Sequence, residues 1–383
     1  MTLTLDLILK KYNSSEDLYE IYRKINDNQR LSKEDGLTLY NCSDILYIGA
    51  LADFARINRL KLTNETNKEN NVFWINNHHL NITNVCEGKC KFCAYRKKEN
   101  EPESFIYSIE EAVNYINNKV DKNVKELHIV SALNPKCDLE YYVTLLNNCK
   151  ESLPNTHIQA FTVVEIDYLA KISNLSAEEI LIKLKEAGLG SLPGGGAEIF
   201  SDRIRKEVCP EKISGKRWLE IMKIAHSLGL KSNATMLTGI GETSEDKINH
   251  MLALRETQDE TGGFMAFIPL ICHYENTELH NYEEPTGIDI LKDYAISRLM
   301  LDNISHIKAF WIQIGIKLAQ ISLSFGVNDL DGTVVQEKIT HSAGATTGQT
   351  IYKEELINLI KKANKIPVER DTVYNIIEEY NAK

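Results

Sequence analysis

Residues 78–100 read HHLNITNVCEGKCKFCAYRKKEN, a short strand pattern followed directly by a cluster of cysteines. Successive side chains of HHLNIT point to opposite faces of a strand, so one set would point into a barrel interior. Cys86, Cys90 and Cys93 then fall within eight residues, and no fourth cysteine or histidine stands beside them. The stretch therefore predicts a strand whose C-terminal loop carries a three-thiol site.

Three kinds of site could use these thiols: structural zinc, a redox-active pair and an iron–sulfur cluster. Structural zinc is almost always four-coordinate, and no second ligand pair follows. A redox pair needs only Cys90 and Cys93, which leaves Cys86 unexplained. A cubane cluster held by three cysteines leaves one iron open, which marks a site that carries out chemistry. The pattern favours the cluster, with a zinc-stabilised binding module as the non-enzyme alternative.

The composition is that of an ordinary globular protein in a reducing compartment. Of 383 residues, 43% are hydrophobic and 26% are charged, and the net charge of -10 argues against a nucleic-acid partner. The N-terminal MTLTLDLILKKYNSSEDLYEIYRKI carries charges inside its only apolar run, and no stretch is long and apolar enough to span a membrane. The cysteines outside the cluster are scattered, which predicts a cytoplasmic protein without disulfides; they are Cys42, Cys137, Cys149, Cys209 and Cys272.

The pattern of apolar residues predicts three regions along the chain. A helical N-terminal cap covers residues 1–70, alternating strands and helices cover 71–331, and a C-terminal loop with closing helices covers 332–383. The candidate strands of the middle region occupy residues 78–83, 126–132, 157–162, 190–192, 232–237, 264–270, 307–314 and 327–331.

Helix signals separate these strands. Ser108 with Glu111 and Ser176 with Glu179 have the spacing of capping boxes, and Gly188 stands where a helix would end. This repeat predicts an α/β fold, a (β/α)8 TIM-type barrel with its chemistry at the C-terminal ends of the strands. A doubly wound open sheet is the alternative, although it would normally place a glycine-rich nucleotide loop after an early strand.

The C-x-x-x-C-x-x-C spacing after the first barrel strand resembles the signature of the radical S-adenosylmethionine (SAM) enzymes. The resemblance implies that Cys86, Cys90 and Cys93 hold a 4Fe–4S cluster whose open iron chelates SAM. It also implies that Phe92 packs on the adenine, and that an electron donor such as flavodoxin or ferredoxin supplies the electron that releases a deoxyadenosyl radical.

Further motifs resemble the aminofutalosine synthase family of the futalosine route to menaquinone. They are FTVVEIDYLAKISNLS, EAGLGSLPGGGAEIF, EVCPEKISGKRWLEIMKIAHSLGL, SNATML, RETQDETGGFMAFIPL, SRLMLDNISHIKAFW, GVNDLDGTVVQEKI and IPVERDTVY. Dehypoxanthine futalosine cyclases and the radical synthases of the deazaflavin chromophore are the alternatives. The resemblance implies a transferase that adds the deoxyadenosyl group of SAM, its co-substrate, to the small molecule 3-[(1-carboxyvinyl)oxy]benzoate, with rearrangement and decarboxylation.

Two segments differ from the family pattern, SALNP at residues 131–135 and GIGE at residues 239–242. In the first, the resemblance implies that the backbone carbonyls of Ser131 and Ala132 still meet the methionine amino group of SAM. In the second, it implies that Glu242 remains as a catalytic residue although the usual histidine is missing.

The remaining candidates follow from their positions on the predicted strands. We expect His79 and Asn81 to act on the substrate, although a polar layer that only fills the barrel would look the same. Glu165 after the third strand could bind the cofactor or cap a helix. The glycines of LPGGGAEI could let the backbone approach a ligand or could only form a turn. The expected substrate-binding residues are Gly194, Gly195, Gly196, Asn233 and His273.

Overall fold

The computed structural model of the protein describes residues 16–380. The start of the predicted N-terminal cap, residues 1–15, lies outside the described residues. The strands are β1 (Asn71–Ile75), β2 (Asn77–Leu80), β3 (Glu126–Ile129), β4 (His157–Ala160), β5 (Ser191–Leu192), β6 (Lys231–Thr238), β7 (Phe264–Ile271), β8 (His306–Ile307), β9 (Asp329–Gly332), β10 (Ile366–Arg370) and β11 (Ile376–Glu379).

The helices lie between and around these strands. They are α1 (Glu16–Asn26), α2 (Lys33–Asn41), α3 (Ile45–Leu62), α4 (Ile109–Lys119), α5 (Leu139–Ser152), α6 (Val163–Ser173), α7 (Ala177–Glu186), α8 (Asp202–Val208), α9 (Gly215–Ser227), α10 (Ser244–Thr261), α11 (Gly287–Met300), α12 (Trp311–Ile314), α13 (Ile316–Ser322), α14 (Ile339–Ser342) and α15 (Lys353–Lys362), with a short 3₁₀ turn at Thr66–Lys68.

Strands β2 to β8 form one parallel sheet in the order in which they occur along the chain. The register places His79 opposite His128, and His128 opposite Gln159. Because the strand order never reverses, the sheet lacks the switch point on which an open doubly wound fold depends. The TIM-type α/β fold is confirmed, and the doubly wound alternative is wrong.

Residues 329–335 close the gap between β8 and β2. Asp329 at the start of β9 forms a parallel bridge to Lys308, and Val335 forms another to His78. Strand β9 also belongs to a second, four-stranded sheet with the order β11-β10-β1-β9. The C-terminal strands are therefore joined to the barrel wall through β9.

The predicted helix caps position the loops that follow the strands. Ser108 and Glu111 form the capping box of α4, and Ser176 and Glu179 form that of α7. Gly188 has a φ of +114°, which is open to glycine, and follows the end of α7. These predictions are confirmed, and each cap fixes the residue at which a loop ends and a helix begins.

Two predicted elements are wrong. The run at residues 307–314 contributes only its first residue to the two-residue strand β8 and then forms helix α12, because a continuous apolar run fits a buried strand and a buried helix equally well. Trp311 anchors that turn, since its indole donates to Gly332 O at 2.8 Å. Of the closing helices predicted at residues 353–380, only α15 forms, because β1 offers β10 a parallel partner and β10 in turn pairs with β11.

Helices α1 to α3 occupy the region expected to form the N-terminal cap. Arg59 on α3 donates to Asp302 O at 2.7 Å and to Ile304 O at 2.8 Å, which fastens α3 beside the end of α11. The division of the chain at residues 70 and 331 into cap, barrel and C-terminal region stays a prediction. Among residues 16–380, no helix is both long and apolar enough to cross a membrane.

Candidate active site

The loops after the parallel strands surround a cavity of about 370 Å³. The C-terminal edge of the strands is where TIM-type barrels carry their chemistry. The residues predicted for the site line this cavity, with the exception of Gly194 and Glu242. The lining set is Cys86, Cys90, Cys93, His79, Asn81, Phe92, Ser131, Ala132, Glu165, Gly195, Gly196, Asn233 and His273.

The three clustered cysteines line one wall of the cavity and are partly buried. The Cys86 thiol accepts backbone N–H groups from Gly88 and Leu133, both at 3.4 Å. Burial raises the pKa of Cys86, and it raises the pKa of Cys90 to about 12. A bound metal centre would offset this cost, because the thiolate is the form that ligates metal.

The thiols suit a cluster better than a single ion. Within residues 16–380, no three cysteine, histidine or carboxylate side chains come together closely enough to hold one metal ion. A 4Fe–4S cluster takes one cysteine per iron, so its ligands stand further apart than those of zinc. Hydrogen bonds to sulfur, such as the two to Cys86, are one way in which a protein sets the reduction potential of such a cluster. The residues present therefore fit a cluster held by Cys86, Cys90 and Cys93.

A buried ion pair beside the cysteines was not predicted from the sequence. Lys212 Nζ lies 2.5 Å from Glu198 Oε1 and 5.1 Å above the centre of the Phe92 ring. Burial alone would lower the pKa of Lys212, but the neighbouring Cys90 and Glu198 outweigh it, and the net direction is upward. Glu198 lies in the motif LPGGGAEI, and Lys212 lies in the motif EVCPEKIS. Neither motif indicates that the two side chains meet.

Glu165 links two of the loops above the strands. Its Oε2 accepts the Thr162 N–H at 2.7 Å, which completes the capping box of α6, and its Oε1 accepts the Ser131 N–H at 3.0 Å. Burial raises the pKa of Glu165, although these hydrogen bonds oppose the shift. The helix-capping alternative is therefore observed, and the carboxylate also fixes the backbone at Ser131. Its contact with a cofactor stays a prediction.

The three glycines of LPGGGAEI have different surroundings. Gly194 has a φ of +86°, and a Cβ there would lie 2.4 Å from Asn233 O, so this glycine lets the loop pack on β6. Gly195 and Gly196 line the cavity. A Cβ on Gly195 would come within 2.9 Å of the Thr162 side chain. The loop therefore serves packing at Gly194, and contact of Gly195 and Gly196 with a ligand stays a prediction.

The structure does not bring Glu242 into the cavity. Its carboxylate accepts the Gly239 N–H at 2.9 Å and the Ile240 N–H at 2.8 Å, and lies 3.6 Å from Lys247 Nζ. These contacts hold the loop after β6 together, so the position gives Glu242 a structural role. His273 does line the cavity, and burial lowers its pKa.

His79 on β2 and Asn81 just after it both line the cavity. Asn81 donates to Val130 O at 2.7 Å, and the His79 ring stacks on the His128 ring with centroids 4.5 Å apart. His79 Nε2 is buried and has no hydrogen-bond partner within residues 16–380. A layer that only filled the barrel would be expected to satisfy such an atom. The orphaned nitrogen therefore favours a ligand-facing layer over mere filling.

Arg96, from the basic run after the cysteines, also lines the cavity. Its Nε is buried and has no hydrogen-bond partner in the described part of the chain, and its Nη2 lies 3.7 Å from Glu278 Oε1. The guanidinium therefore keeps hydrogen-bonding capacity next to the cysteine loop.

Comparisons with known proteins agree with this geometry. Residues 80–254 match the radical SAM superfamily, and residues 261–382 match the CofH/MqnC C-terminal region. The aminodeoxyfutalosine synthase of Thermus thermophilus is 39% identical, with 95% of this chain and 97% of that protein covered. The 5-amino-6-(D-ribitylamino)uracil–L-tyrosine 4-hydroxyphenyl transferase of Archaeoglobus fulgidus is 39% identical over 80% of this chain and 89% of its own length.

A third relative and a solved structure complete the comparison. The cyclic dehypoxanthine futalosine synthase of Halalkalibacterium halodurans is 34% identical over 95% of this chain and 96% of its own length. The crystal structure of methylornithine synthase superposes with a TM-score of 0.71 at 17% identity, covering 91% of this chain and 97% of that chain, and supports the fold. The protein is an enzyme that uses a 4Fe–4S cluster and SAM. It belongs to the radical SAM superfamily, in the branch that carries the CofH/MqnC C-terminal region.

Proposed function

We propose that this enzyme is an aminodeoxyfutalosine synthase of menaquinone biosynthesis. It would join SAM to 3-[(1-carboxyvinyl)oxy]benzoate. The similarity to the Thermus thermophilus enzyme, which extends over nearly the full length of both chains, supports this choice. A cytoplasmic location and a flavodoxin or ferredoxin as electron donor belong to the same proposal.

The observation that carries the proposal is the set of cations in the cavity. Arg96, Lys212 and Lys308 line the same cavity as the three cysteines. SAM carries one carboxylate and the enol ether carries two, and buried carboxylates need charge-assisted donors. Lys212 and Lys308 already pair with Glu198 and Asp331 of the same lining. It is therefore the unused N–H groups of these cations, with the Arg96 Nε that has no partner within residues 16–380, that suit the carboxylates of the two reactants.

Each reactant has candidate contacts in the chain. Cys86, Cys90 and Cys93 would hold the cluster, and its chemistry there would be to supply the electron for the reductive cleavage of SAM. Phe92 offers its ring to the adenine. Glu165 fixes the loop that begins at Ser131, whose backbone carbonyl is then presented to the SAM amino group.

The bond changes balance without a further oxidant. The sulfonium carbon bond breaks, and the deoxyadenosyl carbon bonds to the terminal vinyl carbon. The aryl group then moves from the ether oxygen to the adjacent carbon, and the carbon–carboxyl bond breaks to leave a ketone. The carboxyl group leaves as the carbon dioxide radical anion, which becomes carbon dioxide by returning one electron to the oxidised donor that cleaved SAM, so the whole sequence is redox-neutral. The walls must exclude other hydrogen donors from the radical.

Product analysis tests the proposal. Anaerobic incubation of the reconstituted enzyme with the enol ether, SAM and dithionite should give aminodeoxyfutalosine by mass spectrometry. Parallel incubations contain dehypoxanthine futalosine, or tyrosine with 5-amino-6-(D-ribitylamino)uracil, as the reactant. Conversion in either of these, with none of the enol ether, would contradict the proposal and assign the chain to that relative's reaction.

A further inference from the structure

The floor of the cavity is a layer of polar side chains on neighbouring strands. His79 on β2, His128 on β3 and Gln159 on β4 share one register and all line the cavity. The His79 and His128 rings are nearly parallel, with 9° between their planes. Burial, with smaller effects from neighbours that include Lys308, lowers the pKa of His79 well below its usual range. Burial also lowers the pKa of His128, which favours the uncharged form of both rings, a form that donates and accepts hydrogen bonds.

A buried lysine completes this floor. Lys308 follows β8, is 5% exposed, and lines the cavity. Its Nζ donates to Asp331 Oδ1 at 3.0 Å, the one hydrogen bond recorded for this ammonium within residues 16–380. An ammonium has three N–H groups, so two remain for a ligand. Together with the orphaned His79 Nε2, the floor offers several unmatched polar positions.

The partner of Lys308 is held by the four-stranded sheet β11-β10-β1-β9, which we call the C-terminal sheet. Asp331 has a φ of +62°, a left-handed conformation that persists only where the surroundings enforce it. Its N–H donates to Asp329 Oδ1 at 2.6 Å, and Asp329 Oδ2 accepts from Arg370 Nε on β10 at 2.7 Å. Arg370 and Asp329 are both fully buried. The chain of contacts from β10 thus fixes the place of the ammonium.

We propose that Lys308 and His79 bind the ring carboxylate of the benzoate substrate. The inference rests on the proposed function and names the subsite for one end of that substrate. The vinyl carbon must lie near the cysteine loop, where the SAM carbon is released. The ring carboxylate is at the opposite end of the molecule, and the floor lies below the cysteine loop, on strand residues that precede it. Asp331, Asp329 and Arg370 are positioning residues for this contact.

Calorimetric titration of the reconstituted enzyme tests the assignment. The probes are 3-[(1-carboxyvinyl)oxy]benzoate, its ring carboxamide analogue, and S-adenosylhomocysteine. The wild-type enzyme should prefer the carboxylate over the carboxamide by about tenfold or more, the value of a charge-assisted hydrogen bond. Lys308→Met should bind both with similar affinity, whereas the affinity for S-adenosylhomocysteine should not change.

Two further variants separate ligand binding from stability. Asp331→Asn removes the negative charge of the pair but keeps an Oδ1 that accepts from Lys308, so the ammonium stays in place and the preference for the carboxylate should be retained. Lys308→Met with Asp331→Asn removes both charges, avoids an unpaired buried carboxylate, and should lose the preference. The double variant provides the result if Lys308→Met does not fold by circular dichroism. If the pair is only structural, both single variants would lose stability and neither would change the preference.

The outcomes distinguish the two proposals. A preference that survives in the folded lysine variants, or a loss of S-adenosylhomocysteine affinity instead, overturns the floor assignment. If the wild-type enzyme still forms aminodeoxyfutalosine in that case, the proposed function stands alone. If the wild-type enzyme neither binds nor converts the benzoate, both proposals fall together.

Discussion

At the scale of single residues, surroundings separate the cysteines of the candidate cluster from Cys137. Cys86, Cys90 and Cys93 line the cavity, whereas Cys137 is buried. The Cys86 thiol also accepts two backbone N–H groups. Cys272 also lines the cavity, so it is the shared loop of Cys86, Cys90 and Cys93, together with the cavity, that marks them as the cluster ligands.

Alanine at Cys86, Cys90 or Cys93 should each abolish turnover and lower the bound iron, because two thiols cannot hold the cluster. Cys137→Ala is the matched control and should retain both, since its sulfur is not in the cavity. Iron and sulfide content per chain, read beside activity, checks the prediction. Full turnover by any one of the three cavity variants would refute the cluster assignment.

The sequence predicted residues that stand close together along the chain better than residues that meet across the fold. The cysteine spacing and Phe92 were recognised because they share one loop. Lys212 and Lys308 were missed because their partners, Glu198 and Asp331, lie on other loops and strands. Glu242 was expected in the site because it belongs to a family motif. Its carboxylate instead accepts the N–H groups of Gly239 and Ile240 in the same short loop.

At the scale of elements, the three glycines of the loop after β5 have different structural roles. Gly194 packs against the backbone of β6, while Gly195 and Gly196 line the cavity. The Gly194 carbonyl also accepts a hydrogen bond from the Thr235 hydroxyl at 2.9 Å. Both the α-carbon and the carbonyl of Gly194 therefore contact β6. The loop is therefore part of the barrel wall as well as of the site.

Gly194→Ala should destabilise the protein more than Gly262→Ala. Both glycines have left-handed backbones, which cost about 1 kcal/mol for a residue with a Cβ. At Gly262 nothing lies within 4 Å of the added Cβ, whereas at Gly194 it meets Asn233 O at 2.4 Å, and a strand carbonyl cannot move away cheaply. Urea unfolding of the two variants compares the costs. Equal losses of unfolding free energy would show that the close approach does not matter.

Periodicity predicted the elements that repeat and missed those that depend on a distant partner. The βα alternation and the capping boxes gave the barrel because each signal is local. The second sheet joins β1 to β10, almost 300 residues away along the chain, so no local pattern marks it. The apolar run at residues 307–314 was assigned to a strand, since apolarity alone does not separate the two buried elements.

At the scale of the whole molecule, the C-terminal sheet is joined to the barrel through β9. Strand β9 belongs to this sheet and also bridges the barrel at Lys308. The Arg370–Asp329 ion pair, buried at both ends, joins β10 to β9. Loss of this ion pair should therefore lower the free energy of unfolding of the whole chain.

Arg370→Met should lower the free energy of unfolding by about 3–5 kcal/mol, because it leaves the Asp329 carboxylate buried without its cation. Lys223→Met breaks the exposed pair with Glu260 and should cost at most about 1 kcal/mol. Urea unfolding measures both. A loss at Arg370 no larger than the loss at Lys223 would contradict the role given to the C-terminal sheet.

The destination of the adenosyl group tests the central claim most directly, because radical addition carries it into the product whereas hydrogen abstraction releases it. The measurement uses SAM labelled in its adenine, the enol ether and a reductant under anaerobic conditions, with separation of all adenine-containing products. The account predicts label joined covalently to the benzoate skeleton, methionine in equal amount, and free deoxyadenosine only as a minor by-product. Label found only in free deoxyadenosine, with dehypoxanthine futalosine consumed in step when it is supplied, would contradict it.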